Sequence, residues 1–318
     1  MNSSNPILTD RAPRQISGRL GAAFRGWHQF WFPLDTGHSL AGYRICFGFY
    51  LFWYWGRNWQ VVDTLFSSIG VYNPTVLPDM APGPGLARAI YAVFLALHIP
   101  FILGLFTRVI TPLVWAGYVY HWLLQFRTGG AAFDNLNVFF LFLLCFSDLD
   151  RVWSITASLR PASAARRKVS QFSARLIAVH ISFLYSGTGL YKLMMPEWRA
   201  GLVLPWTLIG RWATSAGYWI GDLSLPAGAY TIASWLVIVM EIFLPVFLWT
   251  RRYRLAACLV GALFHIGVAV TLGITGFLTC IATYVLFWEP EVLKNASGRW
   301  METWRPRKEH EPSVNRDN

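Results

Sequence analysis

The sequence predicts an all-α, polytopic transmembrane helical bundle of about eight spans with both termini cytoplasmic. Three observations carry that expectation: the composition, a series of apolar windows of membrane-crossing length, and a one-sided distribution of Lys and Arg. Of 318 residues, 55% are hydrophobic and 14% charged, with a mean hydropathy of +0.39, whereas soluble domains carry about 25% charged residues. Aromatics make up 17% of the chain and include 17 Trp. So apolar a chain is neither disordered nor collagen-like, and four Cys are too few for a disulfide scaffold. The net charge of +11 is explained more simply by basic loops on one face of a membrane than by a nucleic-acid partner.

Taken in order, residues 1–32 read as a cytoplasmic and interfacial segment. They hold no continuous apolar core followed by a small-residue cleavage site, so no cleavable signal peptide is expected. The stretch ISGRLGAAFRGWHQFWF instead predicts an interfacial helix feeding the first span. Residues 33–290 hold the spans, since a crossing helix needs about 20 mainly apolar residues. Clear windows lie at 39–56, 86–106, 109–126 and 228–249. The window at 135–149 is short, and 176–193 is interrupted by Ser182, Ser186, Thr188 and Gly189. The run 255–288 is too long for one crossing, and the cluster from Gly273 to Gly276 offers a reversal, so two spans are expected there. Residues 291–318 are polar and charged and read as a cytoplasmic tail.

Two outer segments are too long for plain loops: 57–85, rich in Pro and Gly, and 194–227. The second spreads Trp198, Trp206, Trp212, Tyr218 and Trp219 among apolar residues. Such residues favour the headgroup level, which predicts either a lid along the outer interface or an ordinary aromatic belt. With the N-terminus inside, only Arg57, Arg127, Lys192, Arg199 and Arg211 fall on the outer side, Arg44 and Arg88 lie within windows, and the rest of the 27 Lys and Arg collect inside. Adding or losing one span would scramble that separation.

Ionisable residues inside spans are expensive and therefore candidates for function. Arg44 in the first span and Glu241 in the sixth are placed at similar depth, where they would meet as a helix-locking clamp or as part of a site. His98, His121, His180 and His265 sit on four different spans without an i, i+4 His partner or a Glu-x-x-His pair, so no metal or haem spacing is present. Neutral His hydrogen-bonded across helices is the expected fate of at least two of them. Cys46, Cys145, Cys258 and Cys280 form no C-x-x-C pair and read as packing residues. Lys192 closes the fifth span at its outer boundary after Ser-Gly-Thr-Gly, which permits close helix approach or a ligand. It either snorkels to the headgroups or, shielded by the lid, becomes a free amine able to act as a general base.

Three strings together, DTGHSLAGYRICFGFYL, YSGTGLYKLMMPEWRAG and MEIFLPVFLWTRRYRLAACLVGALFHIGVAVTLGITGF, resemble the horizontally transferred transmembrane (HTTM) family over roughly residues 33–290. That family includes the vitamin K-dependent gamma-glutamyl carboxylases and the SdpB-type proteins that help mature secreted peptide toxins. In the carboxylases a membrane-embedded lysine deprotonates vitamin K hydroquinone, oxygen addition yields a strong base, and carbon dioxide adds to the glutamate carbanion. The resemblance puts that lysine at Lys192, a following Trp at Trp198, a Phe-His pair at Phe264-His265 and an acidic residue near Glu241. It implies Lys192 and His265 as catalytic residues, with Arg44, Glu241, Trp198, Tyr191 and His180 binding a lipid-soluble substrate. A quinol such as menaquinol or vitamin K hydroquinone is the implied cofactor, in a bacterial inner membrane.

Two departures accompany it. An Asn-Asn-His string of the carboxylases falls on Asp134-Asn135-Leu136, so its His becomes Leu136, and the large extracytoplasmic domain that captures glutamate-rich substrates has no counterpart before the chain stops. The alternative expectation is a non-enzymatic, SdpB-like factor that handles a secreted peptide at the lid. Partners on either reading are the lipid bilayer and a secreted peptide or protein, with no nucleic acid.

Overall fold

The computed structural model describes residues 19–71, 80–125, 132–161 and 168–303. Expectations for residues 1–18, the centre of the Pro/Gly-rich segment at 72–79, Arg127, Arg166, Arg167 and the tail beyond 303 lie outside the described residues. Among the described residues the structure is mainly helical, and its one strand pairing is antiparallel and two residues long, β1 (Leu34–Asp35) with β2 (Val169–Ser170).

An amphipathic α1 (Arg19–Trp31) leads into α2 (His38–Gly56), followed by the short α3 (Val62–Phe66), α4 (Pro84–Leu103), α5 (Thr107–Gln125), α6 (Ala132–Cys145) and a single turn, α7 (Ile155–Ser158). The second half begins with α8 (Phe172–Met194) and continues through three short helices, α9 (Pro196–Arg199), α10 (Val203–Ile209) and α11 (Ser215–Asp222). It closes with α12 (Ala227–Trp249), α13 (Arg254–Leu272), a mixed segment over Thr275–Phe287 that contains α14 (Thr279–Thr283), and α15 (Pro290–Thr303). Among the described residues three helices, α4, α12 and α13, are long and apolar enough to cross a membrane, and Thr275–Phe287 together with Pro290–Ala296, bent by 96° from it, makes a fourth candidate if the pair is one span. Helices α2, α5 and α8 have 19, 19 and 23 residues, about 28 Å or more at 1.5 Å per residue, but carry more Tyr, His, Ser and Gly.

The expected reversal at Gly273 is present, with φ +66° at the end of α13. The segment beyond it departs from the regular helix expected there. The turns Thr275–Leu278 and Tyr284–Phe287 are 3-10, flanking the five-residue α14. A 3-10 turn rises about 2.0 Å per residue, so these 13 residues reach about 24 Å where an α-helix would reach about 20 Å. The tighter winding lets a short segment run most of the depth of the bundle.

α2 is the hub of the first half. Tyr43, Phe47, Tyr50 and Tyr54 recur at helical spacing and stack ring on ring along its buried face. Arg44, wholly buried, does not meet Glu241. Its guanidinium donates to the carbonyls of Leu149 and Trp153, both at 2.5 Å, and so ties α2 to the turn after α6. Gly104 (φ +69°) lies against the guanidinium, where a side chain would not fit. A planar donor fork matches two converging carbonyls as well as it matches a carboxylate, so Arg44 is satisfied without Glu241, whose partner is Lys192.

α8 and α12 make the tightest pair of the second half. Ser182 accepts from the Trp249 indole at 2.9 Å and Gly189 lies against Ile242, so the two helices run antiparallel. A Cβ at Gly189 would stand 2.9 Å from the Ile242 amide nitrogen, whereas one at Gly187 would meet nothing within 4 Å. Backbone approach of this kind is the membrane-helix use of small residues. Gly189→Leu is therefore expected to destabilise the detergent-purified protein by about 1–3 kcal/mol through overpacking, and Gly187→Leu to leave it unchanged. Thermal unfolding of the two variants beside wild type checks this; equal losses would contradict the packing described.

Candidate functional site

The helix pair opens toward α13 and the short helices into a cavity of about 400 Å³. Its walls are mainly apolar, and its polar side chains come from four places in the chain: Thr188 and Lys192 of α8, Glu241 of α12, His265 of α13 and Thr207 of α10. Tyr185, Gly189 and Lys192 recur at i, i+4 and i+7, one stripe along α8 facing α12 and the cavity. The missing side chain at Gly189 brings Glu241 in, and Lys192, one turn further on, reaches it.

Lys192 Nζ donates to Glu241 Oε1 at 2.5 Å and also to Oε2, a two-pronged ion pair with side-chain exposures of 17% and 6%. Pro245, one turn beyond Glu241 in α12, has no amide hydrogen for the Glu241 carbonyl. The Trp198 ring from α9 covers the ammonium at 5.1 Å, a cation–π contact that also screens it from water. The lysine is thus neither a snorkelling boundary residue nor a lone desolvated amine; it is held by a carboxylate.

Deeper in the wall a second chain of polar groups begins. His265 Nε2 and the Tyr185 hydroxyl are 2.5 Å apart, and the Tyr185 and Tyr284 hydroxyls 2.6 Å apart. The Tyr284 hydroxyl occupies the space a side chain at Gly261 would take, so that glycine on α13 is what admits it. His265 Nδ1 is buried and has no partner among the described residues, which is uncommon for a buried polar atom. Phe264 and Phe277 flank the imidazole. Leu136, the position at which the family string would place a histidine, contributes an apolar surface to the same cavity.

Of the sequence candidates, Lys192, Glu241, Trp198 and His265 line this one cavity. Arg44 does not, being committed to the Leu149 and Trp153 carbonyls. His180 packs beside the Phe139 and Phe140 rings at 5.0 and 5.8 Å, and Tyr191 is 63% exposed on the other side of α8; neither lines the cavity. His98 and His121 bond through Nδ1 to Phe94 and Gly117, carbonyls of their own helices, and not across helices as expected.

Tyr185 and Tyr284 escaped the sequence reading because a tyrosine in an apolar window carries no charge to mark it. Asp134 escaped it differently, by lying one residue outside the 135–149 window. It is fully buried and accepts from the Tyr118 and Tyr54 hydroxyls at 2.6 and 3.2 Å, while Asn137 bonds Tyr118 and Thr279.

Several apolar helices of crossing length define a multi-pass membrane protein. The chain belongs to the HTTM domain family, whose model matches residues 33–291. Nothing among curated proteins or solved structures matches it.

Removing one partner of a buried pair strands the other charge, so Lys192→Met is expected to destabilise by about 3–5 kcal/mol, and Lys192→Met with Glu241→Leu to recover most of that loss. A double-mutant cycle read by unfolding in detergent tests the pairing; strictly additive effects would show that the two side chains do not interact.

Proposed function

We propose that this protein is a membrane-embedded acid–base enzyme acting on a lipid-soluble quinol of the menaquinol or vitamin K hydroquinone type, with Lys192 as the base. The observation that carries the reading is the Lys192–Glu241 pair set in the wall of an otherwise apolar cavity. A pair serves this chemistry better than a lone lysine. The Lys192 ammonium passes its proton to Glu241, and the neutral amine so formed takes the quinol O–H proton; Glu241 ends as the carboxylic acid and the Lys192 ammonium stands beside the new quinolate. One anion replaces another next to the same cation, so the apolar site never holds an unpaired charge. His265 supports the reading through its unpartnered Nδ1, which offers a hydrogen bond to a second ligand oxygen. A volume of about 400 Å³ falls within the range of small-molecule sites, about 300–1,000 Å³.

In this proposal α2, α5, α6 and α8 cross the membrane with α4, α12, α13 and the segment Thr275–Phe287, giving eight spans with both termini on the cytoplasmic face of a bacterial inner membrane. The one-sided placement of Lys and Arg supports that orientation. The short helices α9 to α11 form a lid at the outer interface, with Trp206, Trp212 and Trp219 exposed by 69%, 58% and 65%. In the alternative, non-enzymatic reading that the family resemblance implies, this lid binds a secreted peptide.

The test is quinol-dependent oxygen uptake, together with quinone retention, by the full chain in nanodiscs. Wild type is expected to accelerate uptake over protein-free nanodiscs. Lys192→Met with Glu241→Leu, which keeps the fold while removing both charges, should lower the rate by at least about 100-fold, as loss of a general base does. A wild-type protein that retains no quinone and leaves uptake at the protein-free rate would defeat the reading.

A further inference from the structure

The face of α12 turned away from Glu241 carries a second concavity. It lies between α12 and α13, has a volume of about 660 Å³, and is walled by apolar side chains including Leu236, Val239, Phe243 and Phe247 of one helix and Ala256 and Val260 of the other. Small residues on α13 opposite large ones on α12 leave the groove open. From Leu236 to Phe247 it runs about 16 Å along the helix, about half of the roughly 30 Å hydrocarbon thickness of a bilayer and therefore the depth of one leaflet.

The groove ends at the turn that joins the two helices, and that turn holds three arginines. Arg254 is turned inward and spent: it donates to the Leu248 carbonyl at 3.0 Å and to Glu289 at 2.8 Å. Arg251 and Arg252 are exposed and make no hydrogen bond or salt bridge among the described residues. Tyr253 closes the groove between them, with its ring edge-on to Phe247 at 5.8 Å and the Arg252 guanidinium over it at 5.6 Å. An apolar channel one leaflet deep with two exposed cations at its end matches one ligand in both shape and charge.

We propose that this groove binds an anionic glycerophospholipid, with one acyl chain along α12 and α13 and the phosphate on Arg251 and Arg252. The site is separate from the Lys192 cavity and stands whether or not that cavity takes a quinol. A zwitterionic lipid offers the same chain and no net charge, and a tail-less glycerophosphate offers the charge and no chain, so the two requirements separate experimentally.

Full-length protein is stripped of lipid in detergent and titrated with phosphatidylglycerol or phosphatidylcholine of the same chain length, with occupancy read by native mass spectrometry. Wild type is expected to prefer phosphatidylglycerol by about 10- to 30-fold, the scale two surface cations supply. Arg251→Gln with Arg252→Gln should abolish that preference and leave a weak, headgroup-independent occupancy. Ala256→Trp, at an exposed position that fills the groove, should remove both lipids, and glycerophosphoglycerol should fail to displace phosphatidylglycerol. Equal occupancy by the two lipids in wild type, a preference that survives loss of both arginines, or full retention by Ala256→Trp would each overturn the proposal.

Discussion

A lysine and a glutamate facing each other across an apolar helix interface are stable together and costly apart, and much of the second half of this protein is arranged around that fact. The Glu241 side chain is 6% exposed and that of Lys192 17%, so neither has water enough to stand alone. Their meeting needs α8 and α12 closer than two ordinary side chains allow, which Gly189 permits by resting against Ile242. It also needs a cover, which Trp198 supplies from the first turn of the lid. Glycine, ion pair and tryptophan therefore work as one unit. The glycine sets the distance, the pair holds the charge, and the tryptophan sets the dielectric in which that charge is felt.

The same device, a glycine that makes room for a polar group from another element, recurs in the His265 wall. Gly261 on α13 yields its side-chain space to the hydroxyl of Tyr284, which bonds Tyr185, which bonds His265. Three elements distant in sequence are thereby joined by hydroxyls and an imidazole, in a region where an unmatched donor or acceptor is expensive. Gly104 yields in the first half to the guanidinium of Arg44. In each case a residue with nothing to contribute chemically decides where the chemical group goes, because interiors packed to crystal density leave no slack for a displaced side chain.

The long apolar helices were readable from sequence because length and hydropathy are properties of a window and need no partner. The windows at 39–56, 86–106, 109–126 and 228–249 became α2, α4, α5 and α12 with ends shifted by a few residues. The reversal at Gly273 was readable because a left-handed residue favours glycine. The winding of Thr275–Phe287 was not, since its 3-10 turns answer to the depth the segment has to cover and to the elements packed on it. Partner choice was the other failure. Arg44 and Glu241 were expected at similar depth, yet Arg44 bonds the Leu149 and Trp153 carbonyls and Glu241 pairs with Lys192; hydropathy carries no angular information about which helix faces which. Lys192, Glu241, Trp198 and His265 could be named as separate candidates; that they share one wall, while His180 and Tyr191 do not, follows from helix rotation set by Gly189 and Gly261.

α12 is the element on which these constraints converge, and its sequence shows how one helix serves two environments. Val237 and Glu241, one turn apart, face the cavity, while Leu236, Val239, Met240 and Phe243 face the groove that opens on the other side. Glu241 and Met240 are neighbours in sequence and point into different cavities. A helix whose two sides are both hollow is held mainly along the strips between them, where Gly189 packs against Ile242 and the Trp249 indole reaches Ser182. Pro245 falls between those strips, buried with Leu244 and Leu248, and removes a backbone hydrogen bond one turn beyond Glu241. An acyl chain in the proposed groove would add contacts along the side of α12 that carries Leu236, Val239 and Phe243.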